Sequence, residues 1–559
     1  MPGPDTEGLV IDAIVCLAET FKSAGSKSGG TLAGGENMRS ALCRLIRSAC
    51  LSGVSGVTAT SSGNATDDVI QVMYDVCREN LHHPADGVQR DAARALAALL
   101  DVHADDPAFP IPFTDVIASL AGDLHPDLHF GARRGAALAF GELPAWLIPR
   151  SKEAIFHAVS GAIYPEEQLS VRDVETRVDA IRALPHIVAS ASTAPAGPCG
   201  SVKRAAEQRP GSSTDESMLR RALDALLVAL EDYSTDNRGD IGSWAREAAA
   251  SSGVDLLLDA TRQYDVDQAA RFFAKVVRLA LERIGRVRST AGRCVQRMVR
   301  NNRLASLLQI PSAFVAAVAA LTDEELVDGR AAARLLHVCL GQPPNGTANH
   351  LASEALLGAV YAIGGLDAQL EDFTTTQLVV CVSQVLRNNE ARVTEPQIGT
   401  SFLSLWRLHA KSGRLSGPFV QTAEAILSHT DLILDDVFVD AAVDVTLETI
   451  QGSGDVAKLC KASSLLGTVA GEDELGEARV KASLGLVALM GRKYPKVRTK
   501  AAEELYTAML TWDEMLADDV EDKDLLSILT ATPWGGTNAT LIRTQRLWIR
   551  EKLELMLNA

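Results

Sequence analysis

Aromatic residues, long apolar runs and paired cysteines are scarce or missing in this sequence, and each absence excludes a class of protein. Aromatic side chains make up only 5% of the 559 residues, whereas alanine and leucine dominate and favour helices because they lose little entropy there. No apolar run reaches the roughly 20 residues that span a bilayer, so we expect no membrane contact. The nine cysteines include no CxxC pair, so we expect reduced thiols and a cytoplasmic location.

Positive charge is also in short supply, since the net charge is −17. A chain this acidic repels phosphate backbones, so we expect no nucleic acid as a partner. The signatures of common enzymes are missing too, because there is no GxxxxGK[ST] loop, no HExxH and no GxSxG. We therefore predict no catalytic residue, no cofactor and no metal. An enzyme remains a rival interpretation.

What the sequence does contain is a short pattern that recurs roughly every 43 residues, within the range of HEAT repeats built from two helices. Each copy has an arginine, then small residues, then leucine, isoleucine or valine at helical spacing. The small residues let neighbouring helices approach closely, and the apolar stripe packs against the next repeat. We predict an all-α, HEAT/armadillo-like α-solenoid of helical hairpin repeats without a sheet. We also expect the recurring arginines to bind acidic residues of adjacent repeats: Arg90, Arg134, Arg177, Arg246, Arg288 and Arg498.

One spacing between repeats is longer than the others, between Arg177 and Arg246, and a biased segment accounts for it. Residues 191–217 are rich in proline, glycine and serine, which is typical of a flexible insertion. We therefore predict N-terminal helical repeats in residues 1–190 and C-terminal helical repeats in residues 218–559, joined as one continuous solenoid. The insertion should be the first site of proteolytic cleavage.

The most particular stretch is DYSTDNRGDIGSWAREAA, residues 232–249, which predicts a turn followed by a helix. Gly239 can take a positive φ, and Asp240 can cap the helix. Two interpretations stay open: the stretch is a polar lattice that holds two repeats in register, or it is a contact for a partner. The candidate partner-binding residues are Asp236, Asn237, Arg238 and Asp240, and the candidate structural residues are Gly239, Trp244 and Arg246.

Residues 271–303 form an unusually basic stretch for an acidic chain, with ten lysines or arginines against the single acid Glu282. Helical spacing places four of the arginines on one face. That face is either ordinary solvated surface or a docking patch for an acidic protein. The four candidates are Arg286, Arg293, Arg297 and Arg300.

Several segments resemble the tubulin-folding cofactor D family. The turn stretch is similar to the family's DYTTDSRGDVGTWVREAA, and further matches follow in family order. The resemblance spans about residues 34–555, with the family's C-terminal region at about 218–420. Family members are about twice as long, so we expect this sequence to be a fragment or a shortened gene product, or its N-terminal half to lie on another chain. Three of the further matching segments are GGENMRSALCRLI (34–46), LLGAVYAIGGL (356–366) and KYPKVRTKAAEELYTAML (493–510).

The resemblance implies a chaperone scaffold for tubulin. Such a protein binds β-tubulin and, with tubulin-folding cofactors C and E, supports assembly and disassembly of the αβ-tubulin heterodimer. The complex also stimulates GTP hydrolysis by tubulin, and an Arl-type small GTPase is a further partner. The implied location is the cytoplasm and the microtubule cytoskeleton. A generic HEAT-repeat adaptor without tubulin specificity remains the alternative, and a pull-down of β-tubulin would discriminate between the two.

Overall fold

The computed structural model describes most of the chain, and in that part the chain is almost entirely helical. The described residues contain 25 α-helices, one 3₁₀ helix (Ile148–Arg150) and one β-hairpin with strands β1 (Thr235–Asp236) and β2 (Gly239–Asp240). The predicted all-α class is confirmed, with this hairpin of two residues a strand as a small addition. The described residues are 4–25, 35–54, 64–104, 106, 109–164, 173–191, 213–259, 264–328, 330–340, 347–363, 376, 398–428, 436–472, 476–512 and 520–557.

The chain divides into two compact units, Met1–Phe272 and Phe273–Ala559. Among the described residues, no helix has the length and apolar character that crossing a bilayer requires. The complete helices described in the first unit are α1 (Pro4–Gly25), α2 (Glu36–Leu51), α3 (Asn64–Leu81), α4 (Asp86–Val102), α5 (Phe113–Asp123), α6 (Phe130–Glu142), α7 (Lys152–Ile163), α8 (Val174–Ala191), α9 (Ser213–Ala229) and α10 (Gly242–Leu258).

The first unit is built from helical hairpins whose second helices pack side by side. Helix α4 packs against α2, α3 and α6, and α8 packs against α6, α7 and α10. Small residues allow this close packing, as the sequence pattern predicts. At Gly135 of α6, an added Cβ would collide with the backbone carbonyl of Leu81 at the end of α3. Only glycine fits there, so the chain needs a small residue at this point of the repeat.

The second unit contains the same kind of helix pairing. Helix α21 packs against α19, α22 and α23, and the core includes the fully buried Trp406 and Trp512. The described helices from the unit boundary onward are α11 (Val266–Leu279, which contains the boundary), α12 (Gly285–Arg300), α13 (Asn302–Leu307), α14 (Ser312–Ala319), α15 (Asp323–Asp328), α16 (Arg330–Leu340), α17 (Thr347–Ile363), α18 (Ile398–His409), α19 (Ser416–Leu427), α20 (Asp436–Ile450), α21 (Val456–Ala470), α22 (Gly476–Leu489), α23 (Pro495–Met509), α24 (Val520–Ala531) and α25 (Ala539–Leu557).

The expected ladder of arginines and acidic residues is present in the first unit. Arg134 on α6 binds Asp86 of α4 through Nη2 (2.7 Å to Oδ1) and Asp179 of α8 through Nε (3.1 Å to Oδ2). Arg90 also lies 3.6 Å from the Asp179 carboxylate. Burial raises the pKa of Asp179, while the hydrogen bond and charge of Arg134 act in the opposite direction. Arg177 continues the ladder, so the prediction is confirmed for three of the recurring arginines.

The ladder does not extend to every recurring arginine, and for Arg498 the prediction is wrong. Its Nε donates to the Trp534 carbonyl (2.7 Å) and its Nη2 donates to the Gly536 carbonyl (2.8 Å), both in the turn before α25. Carbonyl oxygens in a turn lack the amide partner that a helix supplies, so the guanidinium's several donors bind them instead of a carboxylate. Arg288 on α12 similarly donates to the Glu282 carbonyl (2.7 Å).

The predicted insertion at residues 191–217 falls mostly outside the described residues, because 192–212 are not described. Its described ends are helical, since Ala191 ends α8 and Ser213 begins α9. The division into repeats at 1–190 and 218–559 therefore stays a prediction, as does cleavage within the insertion.

Candidate functional site

The stretch at residues 232–249 forms a β-hairpin turn that leads into α10. Thr235 pairs with Asp240 and Asp236 pairs with Gly239 across the two short strands. Gly239 has a φ of +103°, a conformation that favours glycine. Asn237 lies exposed beside Arg238 at the tip of the hairpin. The sequence prediction of a turn with a positive φ at this glycine is therefore confirmed.

Behind the tip, Asp240 and Arg246 form a buried ion pair at the start of α10. Asp240 accepts a hydrogen bond at Oδ1 from the backbone N–H of Ser243 (3.1 Å), which is the predicted cap. Its Oδ2 lies 3.0 Å from Nη2 of Arg246, whose side chain is fully buried. Arg246 also donates through Nη1 to the Asp232 carbonyl (2.6 Å) and lies 3.9 Å from the centre of the Tyr233 ring. These partners fix the guanidinium on several sides.

Asp232 joins the turn to the neighbouring helix α8. Its Oδ2 lies 3.0 Å from Nη2 of Arg177, a buried side chain near the start of that helix. Its Oδ1 accepts hydrogen bonds from the backbone N–H (3.0 Å) and the hydroxyl (2.6 Å) of Ser234. Burial lowers the pKa of Arg177, and the charge of Asp232 opposes that effect. The Asp232 carboxylate thus compensates the buried charge of Arg177 and links the hairpin turn to α8.

Arg238 makes a second, more exposed link between the same elements. Its Nη1 lies 2.7 Å from Oε1 of Glu175 on α8, and its Nη2 lies 2.9 Å from Oδ2 of Asp236. Hydrogen bonds to Asp236 and then to Glu175 raise the pKa of Arg238. The guanidinium also lies 5.2 Å from the centre of the half-buried Trp244 ring. Because 40% of the side chain is exposed, solvent screens these ion pairs.

The basic stretch has a different character, because α12 separates its arginines onto two sides. The side chain of Arg288 is buried against backbone carbonyls, whereas the four predicted arginines all lie exposed on the helix. Other cations of the stretch are engaged elsewhere, since Lys275 and Arg278 of α11 both bind Glu354 of α17 (3.2 and 3.0 Å). The exposed arginines of this face, named the α12 face below, are Arg286, Arg293, Arg297 and Arg300.

Sequence reasoning did not single out Asp232 or Glu175 as members of this site. Both bind arginines that are distant in the sequence, Arg177 and Arg238 respectively. No local spacing reveals such pairs, although Asp232 is the first residue of the quoted stretch and offered a signal. In the described residues, no group of three or more histidines, cysteines or acidic residues is placed to hold a metal ion.

Comparisons with known proteins find similarity over part of this chain. Residues 270–458 match the family model described as the tubulin folding cofactor D C terminal. Over these residues the chain is similar to the cofactor D C-terminal region. The resemblance inferred from sequence is therefore confirmed, and the match includes the α12 face but begins after the hairpin turn. It lies somewhat further along the chain than the predicted region at about 218–420.

A curated relative and several solved structures show further similarity. The tubulin-specific chaperone D of Dictyostelium discoideum is 23% identical over 271 residues, which cover 44% of this chain and 18% of the relative. The matched part thus spans less than a fifth of that relative's length. Among solved structures, karyopherin Kap121p bound to the extreme C-terminus of the phosphatase Cdc14p is 10% identical (94% of this chain, 64% of that chain, TM-score 0.30). Uso1-2 is 13% identical (99% and 92%, TM-score 0.29). These TM-scores are too low for the likeness to indicate a shared function or partner.

Proposed function

We propose that this chain is a chaperone scaffold that binds β-tubulin during tubulin folding. The observation that carries the proposal is the match of residues 270–458 to the cofactor D C-terminal family. The similarity to a tubulin-specific chaperone supports it. Rows of paired helices suit this role, because they present long surfaces along which a partner protein can lie.

The α12 face is our proposed contact for tubulin within the matched region. The family resemblance implies an acidic partner, tubulin, and this chain itself carries a net charge of −17. Two acidic proteins repel at long range, so a local basic patch would ease their association. The face offers the exposed residues Arg293, Arg297 and Arg300, and Nη2 of Arg293 also donates to the Ser289 hydroxyl (2.7 Å). Arginine binds carboxylates in a planar, two-pronged geometry.

The wider role that we propose follows the family. Together with cofactors C and E and an Arl-type small GTPase, the chain would support assembly and disassembly of the αβ-tubulin heterodimer in the cytoplasm. In that complex it would stimulate GTP hydrolysis by tubulin without supplying a catalytic group of its own. A GTPase assay tests this proposal: the chain alone should show no turnover, and its addition to tubulin with both cofactors should raise the rate. Turnover by the chain alone would contradict it.

A direct binding experiment separates this function from that of a generic helical-repeat adaptor. The immobilised chain is exposed to purified tubulin and, as an acidic control, to serum albumin. We expect retention of tubulin alone. Retention of both proteins at low salt, and of neither at physiological salt, would indicate non-specific charge attraction. Failure to retain tubulin under any condition would favour the adaptor.

A further inference from the structure

A recess of about 380 Å³ lies between α20 and α22 in the second unit. Its lining is mainly apolar, with Leu447 and Ile450 from α20 and Gly485, Ala488 and Leu489 from α22. At Gly485 an added Cβ would lie only 2.8 Å from the Leu447 side chain, so the two helices approach closely beneath the recess. The recess therefore has an apolar floor on which another protein can bury surface.

Helix α20 adds a row of carboxylates along the same groove. The helix contains no lysine or arginine, and its acidic residues recur at every fourth position: Asp436, Asp440, Asp444 and Glu448. That spacing keeps them near one side of the helix over about 18 Å. The row faces α22, because Nζ of Lys481 on α22 lies 2.8 Å from Oδ1 of Asp440 and 3.3 Å from Oδ1 of Asp444. Glu448 lines the recess itself, so the groove has an acidic wall beside its apolar floor.

The cations of the groove do not neutralise this wall. Lys481 also lies 3.3 Å from Oε1 of Glu477 on its own helix, so one ammonium group faces three carboxylates. Asp436 and Glu448 are exposed and form no ion pair with any residue that the structure describes. Arg492, at the far end of the recess, donates through Nη2 to a backbone carbonyl at the end of α20 (2.9 Å). The groove therefore keeps an excess of negative charge, which attracts a positively charged partner.

Apolar surface continues beyond the recess toward the start of α20. Val437 is 73% exposed, and it stands three residues before Asp440, which places it on the acidic side of the helix. Apolar and acidic side chains thus accompany each other along the 15 residues of α20, a length of about 22 Å. A helix of about four turns has the same length, so the groove suits an extended helical partner better than a small ligand.

We propose that the groove between α20 and α22 binds a basic amphipathic helix of a partner protein. Such a helix lays its apolar face into a groove, here over Leu447, Ala488 and Leu489. Lysines or arginines one turn apart along its edge then lie opposite the carboxylates of α20, which recur at the same spacing. This site goes beyond the proposed tubulin function, because the α12 face is proposed to bind an acidic partner and the groove selects a basic one. Either site can fail its test without the other.

The test uses three labelled helical peptides of about four turns. The first carries leucines on one face and lysines along its edges, the second replaces the leucines by alanines, and the third replaces the lysines by glutamates. Fluorescence anisotropy with the full chain at physiological salt measures the dissociation constant of each. The leucine–lysine peptide should bind at least about tenfold more tightly than either of the others, because only it offers both the apolar face and the positive charge. Equal binding of the two lysine peptides would show charge attraction alone and overturn the proposal.

Charge variants locate the binding at the acidic wall. Asp444→Asn with Glu448→Gln removes two exposed carboxylates of α20 and should weaken binding of the leucine–lysine peptide about tenfold. The matched control, Glu503→Gln with Asp524→Asn on exposed positions of α23 and α24, makes the same change in net charge and should leave the constant unchanged. If both double variants weaken binding equally, the peptide responds to the total charge of the chain and the groove is not the site.

A second pair of variants tests the apolar floor without changing any charge. Ala488→Gln places a longer polar side chain at the recess and should weaken peptide binding about threefold, because it covers apolar surface that the leucines bury. Ala316→Gln, at an exposed position of α14, is the matched control and should bind the peptide as the unchanged chain does. Circular dichroism would confirm that each variant is folded. A folded Ala488→Gln variant that binds as tightly as this control would exclude the recess.

Discussion

The hairpin turn before α10 and the α12 face are both rich in charged residues, but the charged side chains are mostly buried at the turn and exposed on the α12 face. At the turn, Arg246 is fully buried and pairs with Asp240, while Asp232 pairs with the buried Arg177. On the α12 face the four arginines are exposed residues. The sequence of the turn is the more distinctive of the two, yet most of its charged side chains form ion pairs that link neighbouring elements of the fold.

A partner protein binds exposed charges more readily than buried ones. A buried ion pair is stabilising only while every group keeps its partner, so such residues resist both change and outside contact. Exposed arginines on a helix are accessible to another protein. Within the turn, only the tip around Asn237 and Arg238 shares that accessibility.

The largest effect that we expect comes from removing the buried charge at the turn. Arg246→Ala leaves the Asp240 carboxylate and the Asp232 carbonyl without their main partner. Breaking such a buried pair costs about 3–5 kcal/mol of unfolding free energy. Hydrogen exchange of peptides from α10 would report the loss in the part of the chain that carries it. Arg300→Ala, on the α12 face, is the control and should change stability by no more than about 0.5 kcal/mol. Similar losses in both variants would erase the contrast between the two regions.

The sequence predicted the parts of this contrast that depend on neighbouring residues. Helical spacing placed the arginines of the α12 face, and Gly239 and Asp240 have the φ and the capping bond that their residue types favour. What the sequence did not predict depends on distant chain. Glu175 binds Arg238 across 63 positions, and the choice of carbonyls by Arg498 depends on a turn near the end of the chain. Local patterns carry no information on such pairs, because only the packed helices bring them together.

A smaller effect should follow from straining the hairpin without touching its charges. Gly239→Ala forces a Cβ onto a residue with a φ of +103°, which costs about 1–2 kcal/mol. The matched control is Gly87→Ala in the first turn of α4, where an added Cβ meets no atom within 4 Å and φ is not positive. That change should be neutral or stabilise by up to about 1 kcal/mol, since alanine favours helices. Unfolding in guanidinium chloride measures the stability of both variants. Equal unfolding midpoints for Gly239→Ala and Gly87→Ala would show that the turn tolerates the strain.

Reversing the exposed charges should affect association rather than folding. The triple change Arg293→Glu, Arg297→Glu and Arg300→Glu should slow tubulin association about tenfold at low salt, because it removes the attraction between patch and partner. The effect should shrink at physiological salt, where the Debye length is about 8 Å. Surface-capture on-rates at two salt concentrations would measure it.

A matched triple change distinguishes this local effect from that of total charge. Arg47→Glu, Lys461→Glu and Lys496→Glu reverse three other exposed cations and alter the net charge by the same amount. We expect a clearly smaller change in the on-rate. If both triple variants slow association equally, the α12 face is ordinary solvated surface and the contact for tubulin lies elsewhere.

The smallest effect on stability is expected at the tip of the hairpin, because Arg238 is exposed like the arginines of the α12 face. Arg238 binds Glu175 and Asp236 but is 40% exposed, and ion pairs of this kind contribute about 0–1 kcal/mol. Arg238→Ala should therefore leave thermal unfolding nearly unchanged. Glu175→Gln removes the same link to α8 from its other end while leaving the tip intact. Tubulin capture that falls in Arg238→Ala and persists in Glu175→Gln would make the tip a partner contact. Capture that falls equally in both would mean that the link to α8 matters, and capture unchanged in both would leave the turn with a structural role alone.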